Sequence, residues 1–202
     1  MNMDTAKTAI ILIGYQNDYF AEDGVLHSVI EESLNANNVL MNTISFLSNL
    51  QSSNVLIVST PICFVNDYEE LPNPVGILKV VKEVGAFKEG TIGAETIPEI
   101  KSFGDKVIEI TGKKGLDAFS NTALDELLCQ HEIKNIVIAG VVSSVCIDST
   151  GRSAHAKGYD VSILSDCTAG RASYEQTFYC DEIFPIYAEV TDSHSMLSRL
   201  TE

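Results

Sequence analysis

The chain has 202 residues, of which 45% are hydrophobic and 20% are charged, and its formal net charge at pH 7 is -15. This length supplies the core of one domain and is short for two, so we expect a single domain over residues 1–202. A strongly acidic chain repels phosphates and anionic headgroups, so neither a nucleic acid nor a membrane is expected as a partner. No run reaches the roughly 20 apolar residues of a membrane span, and the N-terminus lacks the pattern of a signal peptide.

Five cysteines are widely spaced along the chain and include no Cys-x-x-Cys pair: Cys63, Cys129, Cys146, Cys167 and Cys180. An odd number at this spacing argues against a disulfide framework and against a zinc cluster. The four histidines are also scattered, without the pairing that a metal site shows. We therefore predict a reduced, cytoplasmic protein without a metal site, and we expect no cofactor.

Short apolar runs alternate with segments of helical periodicity. The runs predict six strands, at residues 8–13, 54–59, 106–110, 135–139, 160–164 and 186–190. The intervening segments predict helices at residues 30–51, 76–83, 121–130, 144–157 and 173–183, with an otherwise irregular stretch over 61–104. This alternation indicates βαβ units and a three-layer α/β/α fold with a six-stranded, mainly parallel, Rossmann-like sheet. Ligands bind at the carboxyl ends of such strands, which directs attention to residues 14–20, 111–119 and 140–146.

One cysteine falls where a predicted strand passes into a helix. Cys146 lies in the first turn of the helix, behind a bend at Gly140, with Ser143 or Ser144 as the expected N-cap. The partial positive charge and free amides of a helix N-terminus stabilise a thiolate and can hold a developing oxyanion. An inert buried thiol is the alternative.

Two adjacent lysines, Lys113 and Lys114, follow the third predicted strand. An ammonium that reached the cavity of Cys146 would stabilise the thiolate and later help to hold an oxyanion. Neighbouring residues near a strand end point to opposite sides, so only one of the two is expected to face inward. The alternative is that both lysines are solvated.

Four segments, in this order, resemble the isochorismatase-like family of cysteine hydrolases, which includes nicotinamidase. They are IILIGYQNDYF, GAFKEGTIGAETIPEI, GKKGLDAFSNTALDELL and GVVSSVCIDSTGRSAHAKGYDV. The resemblance covers nearly the whole chain. It implies the isochorismatase-like fold and assembly as a homo-oligomer, either a dimer or a tetramer.

The resemblance also assigns roles within the last two segments. It implies Cys146 as the nucleophile, and Lys113 rather than Lys114 as the catalytic lysine, because the family lysine precedes the phenylalanine of Ala-Phe by six residues. It places the oxyanion-binding backbone amides at Val142 and Cys146. It further implies a cis peptide bond between Val141 and Val142.

One position departs from the family pattern. The third catalytic residue of the family is the first Asp of Asp-x-Gln-Asn-Asp-Phe, and this chain has Gly14 there. Loss of that carboxylate removes a proton acceptor and donor whose contribution is about 10²–10⁴-fold. Another carboxylate could substitute, with Asp18 the first candidate and Glu22 or Asp23 further along. A second alternative is that Lys113 and Cys146 alone suffice to cleave a substrate that has a good leaving group. A third is that the protein binds a ligand without turning it over. The glycine is also expected to enlarge the cavity.

The resemblance narrows the substrate. Nicotinamidases carry an Asp-x-His and a further His after the second strand, where they bind a metal, and the segment STPICFVNDYEELPNP has no histidine. True isochorismatases lack the cysteine and rely on the aspartate. The leading hypothesis is therefore a cysteine hydrolase that acts on a C–N bond of a small amide or ureide through a Cys146 thioester. The alternatives are a catalytically impaired member that binds a small molecule or partner, and a thiol-transfer role for Cys146.

Overall fold

The computed structural model describes residues 2–65 and 67–201. Its eight strands within those residues are β1 (Met3–Asp4), β2 (Thr8–Ile13), β3 (Leu56–Thr60), β4 (Val107–Glu109), β5 (Asn135–Val141), β6 (Asp160–Ala169), β7 (Glu189–Thr191) and β8 (Leu200–Thr201). β1 and β8 pair with each other, and the other six form one parallel sheet in the order β4-β3-β2-β5-β6-β7. The predicted three-layer fold with a six-stranded parallel sheet is confirmed.

Helices cover both faces of this sheet. Those in the described residues are α1 (Asn17–Phe20), α2 (His27–Ala36), α3 (Val39–Asn49), α4 (Gly76–Val84), α5 (Pro98–Lys101), α6 (Leu124–Gln130), α7 (Asp148–Ala156), α8 (Ser173–Phe178) and α9 (Ser193–Arg199). The single helix predicted over 30–51 is wrong, because Asn38 takes a left-handed conformation with φ of 50° and divides it into α2 and α3. The helix predicted over 173–183 is α8 followed by a π-helical turn, Tyr179–Ile183.

The apolar residues of the central strands divide between two cores. Every residue of β2 is buried, as expected for a parallel strand with helices on both sides. Ile11 packs towards α6 and α7, whereas Ile10 and Leu12 pack towards α3 and α9 on the opposite face. The strand ends differ by a few residues from the prediction, mainly because β5 and β6 continue to Val141 and Ala169.

The parallel arrangement positions the site. Because β2, β3 and β5 run in the same direction, the segments that follow them emerge at one edge of the sheet. Gly14 and the residues after Val141 therefore lie side by side, and Ile62 and Lys113 pair in an isolated parallel bridge nearby. None of the helices in the described part of the chain is long and apolar enough to cross a bilayer.

Candidate active site

The cysteine turn follows the central strand β5. Residues Ser143–Ile147 form a π-helical turn that runs into α7, and Cys146 lies within it with 7% of its surface exposed. The peptide bond between Val141 and Val142 is cis. The amides of Val142 and Cys146 belong to the start of this helical segment, where N–H groups commonly lack intrahelical partners.

The predicted N-cap is wrong. Val142 occupies the cap position, and no side chain caps the turn. The Ser143 hydroxyl is hydrogen-bonded to the Gln176 side chain, and the Ser144 hydroxyl donates to Glu175 Oε1 at 2.5 Å. Both serine side chains are thus engaged by α8, and their role is to anchor the cysteine turn to that helix.

The two predicted catalytic side chains meet in the structure. Lys113 Nζ lies 3.5 Å from Cys146 Sγ, and the lysine is only 1% exposed. Lys114 faces the other way, where its ammonium lies 2.7 Å from Glu70 Oε1 and donates to the carbonyl of Cys63. The expected alternation of the two lysines is confirmed. The lysine ammonium is thus placed to attract negative charge that develops on the sulfur or on a bound carbonyl oxygen.

The thiol and the ammonium line a narrow apolar pocket. The cavity itself is small, about 20 Å³. The lining consists of Gly14, Tyr19, Ile62, Ile77, Leu78, Val81, Phe87, Lys113, Leu116, Val141, Val145 and Cys146. No carboxylate belongs to this lining. Within residues 2–65 and 67–201, no cluster of three or more His, Cys, Asp or Glu side chains is arranged to hold a metal ion.

Gly14 lies in the pocket wall, but the expected enlargement of the cavity is wrong. Its φ is +74°, and a Cβ atom built there would lie 2.8 Å from the carbonyl oxygen of Val141 and 2.9 Å from Val141 Cγ2. Val141 therefore occupies the space that a side chain would need. The backbone at this position suits glycine and is strained for any residue with a side chain.

Asp18, the first candidate to replace a carboxylate at position 14, points elsewhere. Its Oδ2 atom accepts the backbone N–H of Phe87 at 2.6 Å, and its Oδ1 atom lies only 2.1 Å from where a Cβ of Gly93 would be. Burial raises the pKa of this carboxyl. The physical role of Asp18 is to hold the loop after α4 against α1. Glu22 and Asp23 are exposed, so none of the three carboxylates lies in the pocket wall.

Two buried polar side chains that the sequence analysis did not single out support the pocket. Gln16 donates from Nε2 to the carbonyls of Ile62 and Ala94 and accepts the N–H of Ile62. Glu175 binds both Ser144 and Arg171. Burial raises the pKa of Glu175, but the Arg171 guanidinium and the Ser144 hydroxyl outweigh burial and hold it below its ordinary value. The glutamine of the segment IILIGYQNDYF is the sequence signal that could have indicated Gln16.

The comparisons with known proteins agree with this architecture. A model of the isochorismatase domain matches residues 8–195. Nicotinamidase 3 of Arabidopsis thaliana is 30% identical over 111 residues, which cover 55% of this chain and 56% of that protein, little more than half its length. Ureidoacrylate amidohydrolase RutB of Variovorax paradoxus is 26% identical over 198 residues, which cover 90% of this chain and 77% of that protein.

A solved structure extends the likeness to the fold. The cysteine hydrolase from Pseudomonas syringae pv. phaseolicola has a TM-score of 0.82 at 19% identity, covering 98% of this chain and 94% of that one. The parallel sheet and its flanking helices thus define an isochorismatase-like α/β protein. The family model spans most of the sequence, and the chain belongs to the isochorismatase family.

Proposed function

We propose that this protein is a cysteine hydrolase that cleaves a C–N bond of a small amide or ureide. The observation that carries the proposal is the buried pair of Lys113 Nζ and Cys146 Sγ, 3.5 Å apart in a pocket at the carboxyl edge of the sheet. The names of the Arabidopsis and Variovorax relatives describe amide-cleaving enzymes, which is consistent with this chemistry.

The proposed reaction proceeds through a thioester. The Cys146 thiolate attacks the carbonyl carbon, and the negative charge that develops on the carbonyl oxygen is held by the amides of Val142 and Cys146. The C–N bond then breaks, the nitrogen leaves with a proton, and water hydrolyses the thioester. Because the pocket wall is otherwise almost entirely apolar, the preferred acyl group is small, uncharged and aliphatic.

Two measurements test the thiol chemistry. The first is alkylation with a limiting amount of iodoacetamide at pH 7, followed by peptide mass mapping. We expect Cys146 to react before the exposed Cys129 and well before Cys167 and Cys180, because burial raises the pKa of each of the last two to about 12. If Cys146 reacts no faster than Cys129, the proposal fails.

The second measurement is acylation by p-nitrophenyl acetate. We expect a burst of p-nitrophenol release of up to one equivalent per chain, with the acetyl group of rapidly quenched protein on Cys146 and none on that peptide in a Cys146→Ser variant. Turnover of aliphatic amides and ureides, followed as release of ammonia or amine, then tests the hydrolase itself.

A second candidate function is a family member that binds a small molecule or partner without hydrolysing it. The observation that favours it is the pocket wall, in which Gly14 offers no carboxylate and no other carboxylate takes its place. Acetylation of Cys146 together with no hydrolysis of any amide or ureide would favour this alternative. The assembly into dimers or tetramers stays a prediction, for which sedimentation velocity is the test.

A further inference from the structure

One polar side chain in the pocket has no role in the chemistry described so far. Tyr19 follows Asp18 on α1, is 5% exposed and lines the same pocket as Lys113 and Cys146. Its Cδ2 atom lies 3.6 Å from the position of a Cβ atom at residue 14, and its ring packs against Phe87 at a centroid distance of 5.2 Å. The phenol ring thus stands beside the place where the family carries its carboxylate.

The hydroxyl of Tyr19 is free, in contrast to its buried neighbours. The Tyr15 hydroxyl bonds Thr43 Oγ1 at 2.7 Å, and the Tyr68 hydroxyl donates to the carbonyl of Ala86 at 2.8 Å. No hydrogen bond reaches the Tyr19 hydroxyl from any residue that the structure describes, and this hydroxyl is not among the fully buried polar atoms that lack a partner there. Solvent therefore touches the hydroxyl, and a ligand in the pocket can bind it.

The surroundings determine what this hydroxyl can do. Burial raises the pKa of Tyr19, and the negative charges of a Cys146 thiolate and of Asp18 raise it further. The phenol therefore stays protonated at neutral pH and starts the reaction as a donor. It does not act first as a base, because the group beside the sulfur is the Lys113 ammonium, 3.5 Å away.

We propose that Tyr19 is the proton donor to the leaving nitrogen, in place of the absent carboxylate at position 14. This inference rests on the proposed hydrolase function. As the tetrahedral intermediate collapses, the C–N bond breaks, the nitrogen takes the Tyr19 proton and the amine departs, which leaves a phenolate in the pocket that Lys113 also lines. The phenolate then takes a proton from the water that attacks the thioester. The C–O bond forms, the C–S bond breaks, and the thiolate and the phenol are both restored.

The test compares an amide with the p-nitrophenyl ester of the same acyl group. The leaving group of the ester is p-nitrophenolate, a stable anion that needs no proton. The nitrogen that leaves the amide does need one. In Tyr19→Phe we expect kcat/KM for the amide to fall by about 10²–10⁴-fold, the usual size of a general-acid contribution. Acetylation of Cys146 by the ester should change by less than about 3-fold. A merely structural role of the hydroxyl would instead lower the amide and ester rates by the same factor.

The matched control is Tyr15→Phe, which removes a buried hydroxyl on the opposite face of the sheet. It should lower the melting temperature, because the hydrogen bond to Thr43 is lost, and leave the ratio of amide to ester rates unchanged. Tyr19→Phe should leave the melting temperature unchanged, because its hydroxyl has no partner to lose.

The outcomes separate this inference from the hydrolase proposal. If wild type hydrolyses the amide and Tyr19→Phe does so equally well, or if both rates fall by the same factor, the donor role of Tyr19 is refuted and the hydrolase stands. If the ester acetylates Cys146 but no amide is hydrolysed, Tyr19 supplies no proton and the inference is refuted. If Cys146 is not acetylated at all, the thioester chemistry itself fails.

Discussion

The two adjacent lysines offer a matched pair of perturbations at the site. Lys113→Met removes the ammonium that lies 3.5 Å from Cys146 Sγ and leaves an apolar side chain of similar length. Lys114→Met removes the same charge one residue away, where the ammonium lies 2.7 Å from Glu70 Oε1 on the other side of the chain. Any difference between the two variants therefore reports on the contact with the sulfur.

The magnitude follows from the distance and the burial. Two unit charges 3.5 Å apart attract by roughly 4–5 kcal/mol at an effective dielectric constant of about 20. Desolvation of the buried ammonium offsets part of this, so the value typical of hydrogen bonds to charged groups, about 1.5–3 kcal/mol, is the better guide. Lost in full, a contact of this strength corresponds to a factor of about 10–150 in rate. Only about half of it on a logarithmic scale is expected, because the sulfur has given up part of its charge in the transition state of alkylation.

The assay is the second-order rate of Cys146 alkylation by iodoacetamide at pH 7, followed by mass spectrometry of the Cys146 peptide. We expect the rate in Lys113→Met to fall by about 3–12-fold, and the rate in Lys114→Met to stay within about 2-fold of wild type. Far-ultraviolet circular dichroism confirms that both variants are folded. Equal rates in the two variants would refute the idea that the contact between Lys113 and the sulfur contributes to the reactivity of Cys146.

Three further substitutions test the supporting structure. Gly14→Asp should lower the melting temperature by about 3–10 °C without raising amide hydrolysis, because φ is +74° and the new Cβ meets Val141; a stable variant with gained activity would contradict this. Asp18→Ala should cost about 1–3 kcal/mol of unfolding free energy, because the Phe87 N–H loses its buried acceptor; an unchanged urea midpoint would contradict this. Glu175→Gln should also destabilise the protein at neutral pH. Since the folded pKa of Glu175 lies below its ordinary value of 4.5, its contribution is complete above that value and is lost as the pH falls through the folded pKa. Urea unfolding of both proteins at pH 7 and pH 3 measures the difference, which should be smaller at the lower pH.

The architecture was largely predictable from local patterns. Continuous apolar runs such as Thr8–Ile13 signal strands buried on both faces, and their alternation with helical segments leads to a parallel sheet. The same patterns placed Cys146 and Lys113 at strand ends on one edge. The resemblance then selected Lys113 over Lys114, and the structure brings the former to the sulfur.

Other features depend on contacts between segments that are distant in the chain. Serine is a common N-cap residue, but the hydroxyl of Ser144 donates to Glu175, 31 residues away in the chain. Asp18 is near Gly14 in sequence, yet its carboxylate is committed to the amide of Phe87, 69 residues away. Closeness in the sequence shows neither where a side chain points nor which distant group forms a hydrogen bond with it.

The amino-acid sequence by itself therefore determined the order of the six strands of the main sheet, the parallel fold, and the placement of a cysteine and a lysine at neighbouring strand ends, because periodicity and strand ends are local properties. Only the tertiary structure decided that Val141 closes the space beside Gly14, that the pocket wall holds no carboxylate, and that Tyr19 lines this wall next to Gly14. These features depend on where side chains from separate segments meet, and that is set by packing in three dimensions.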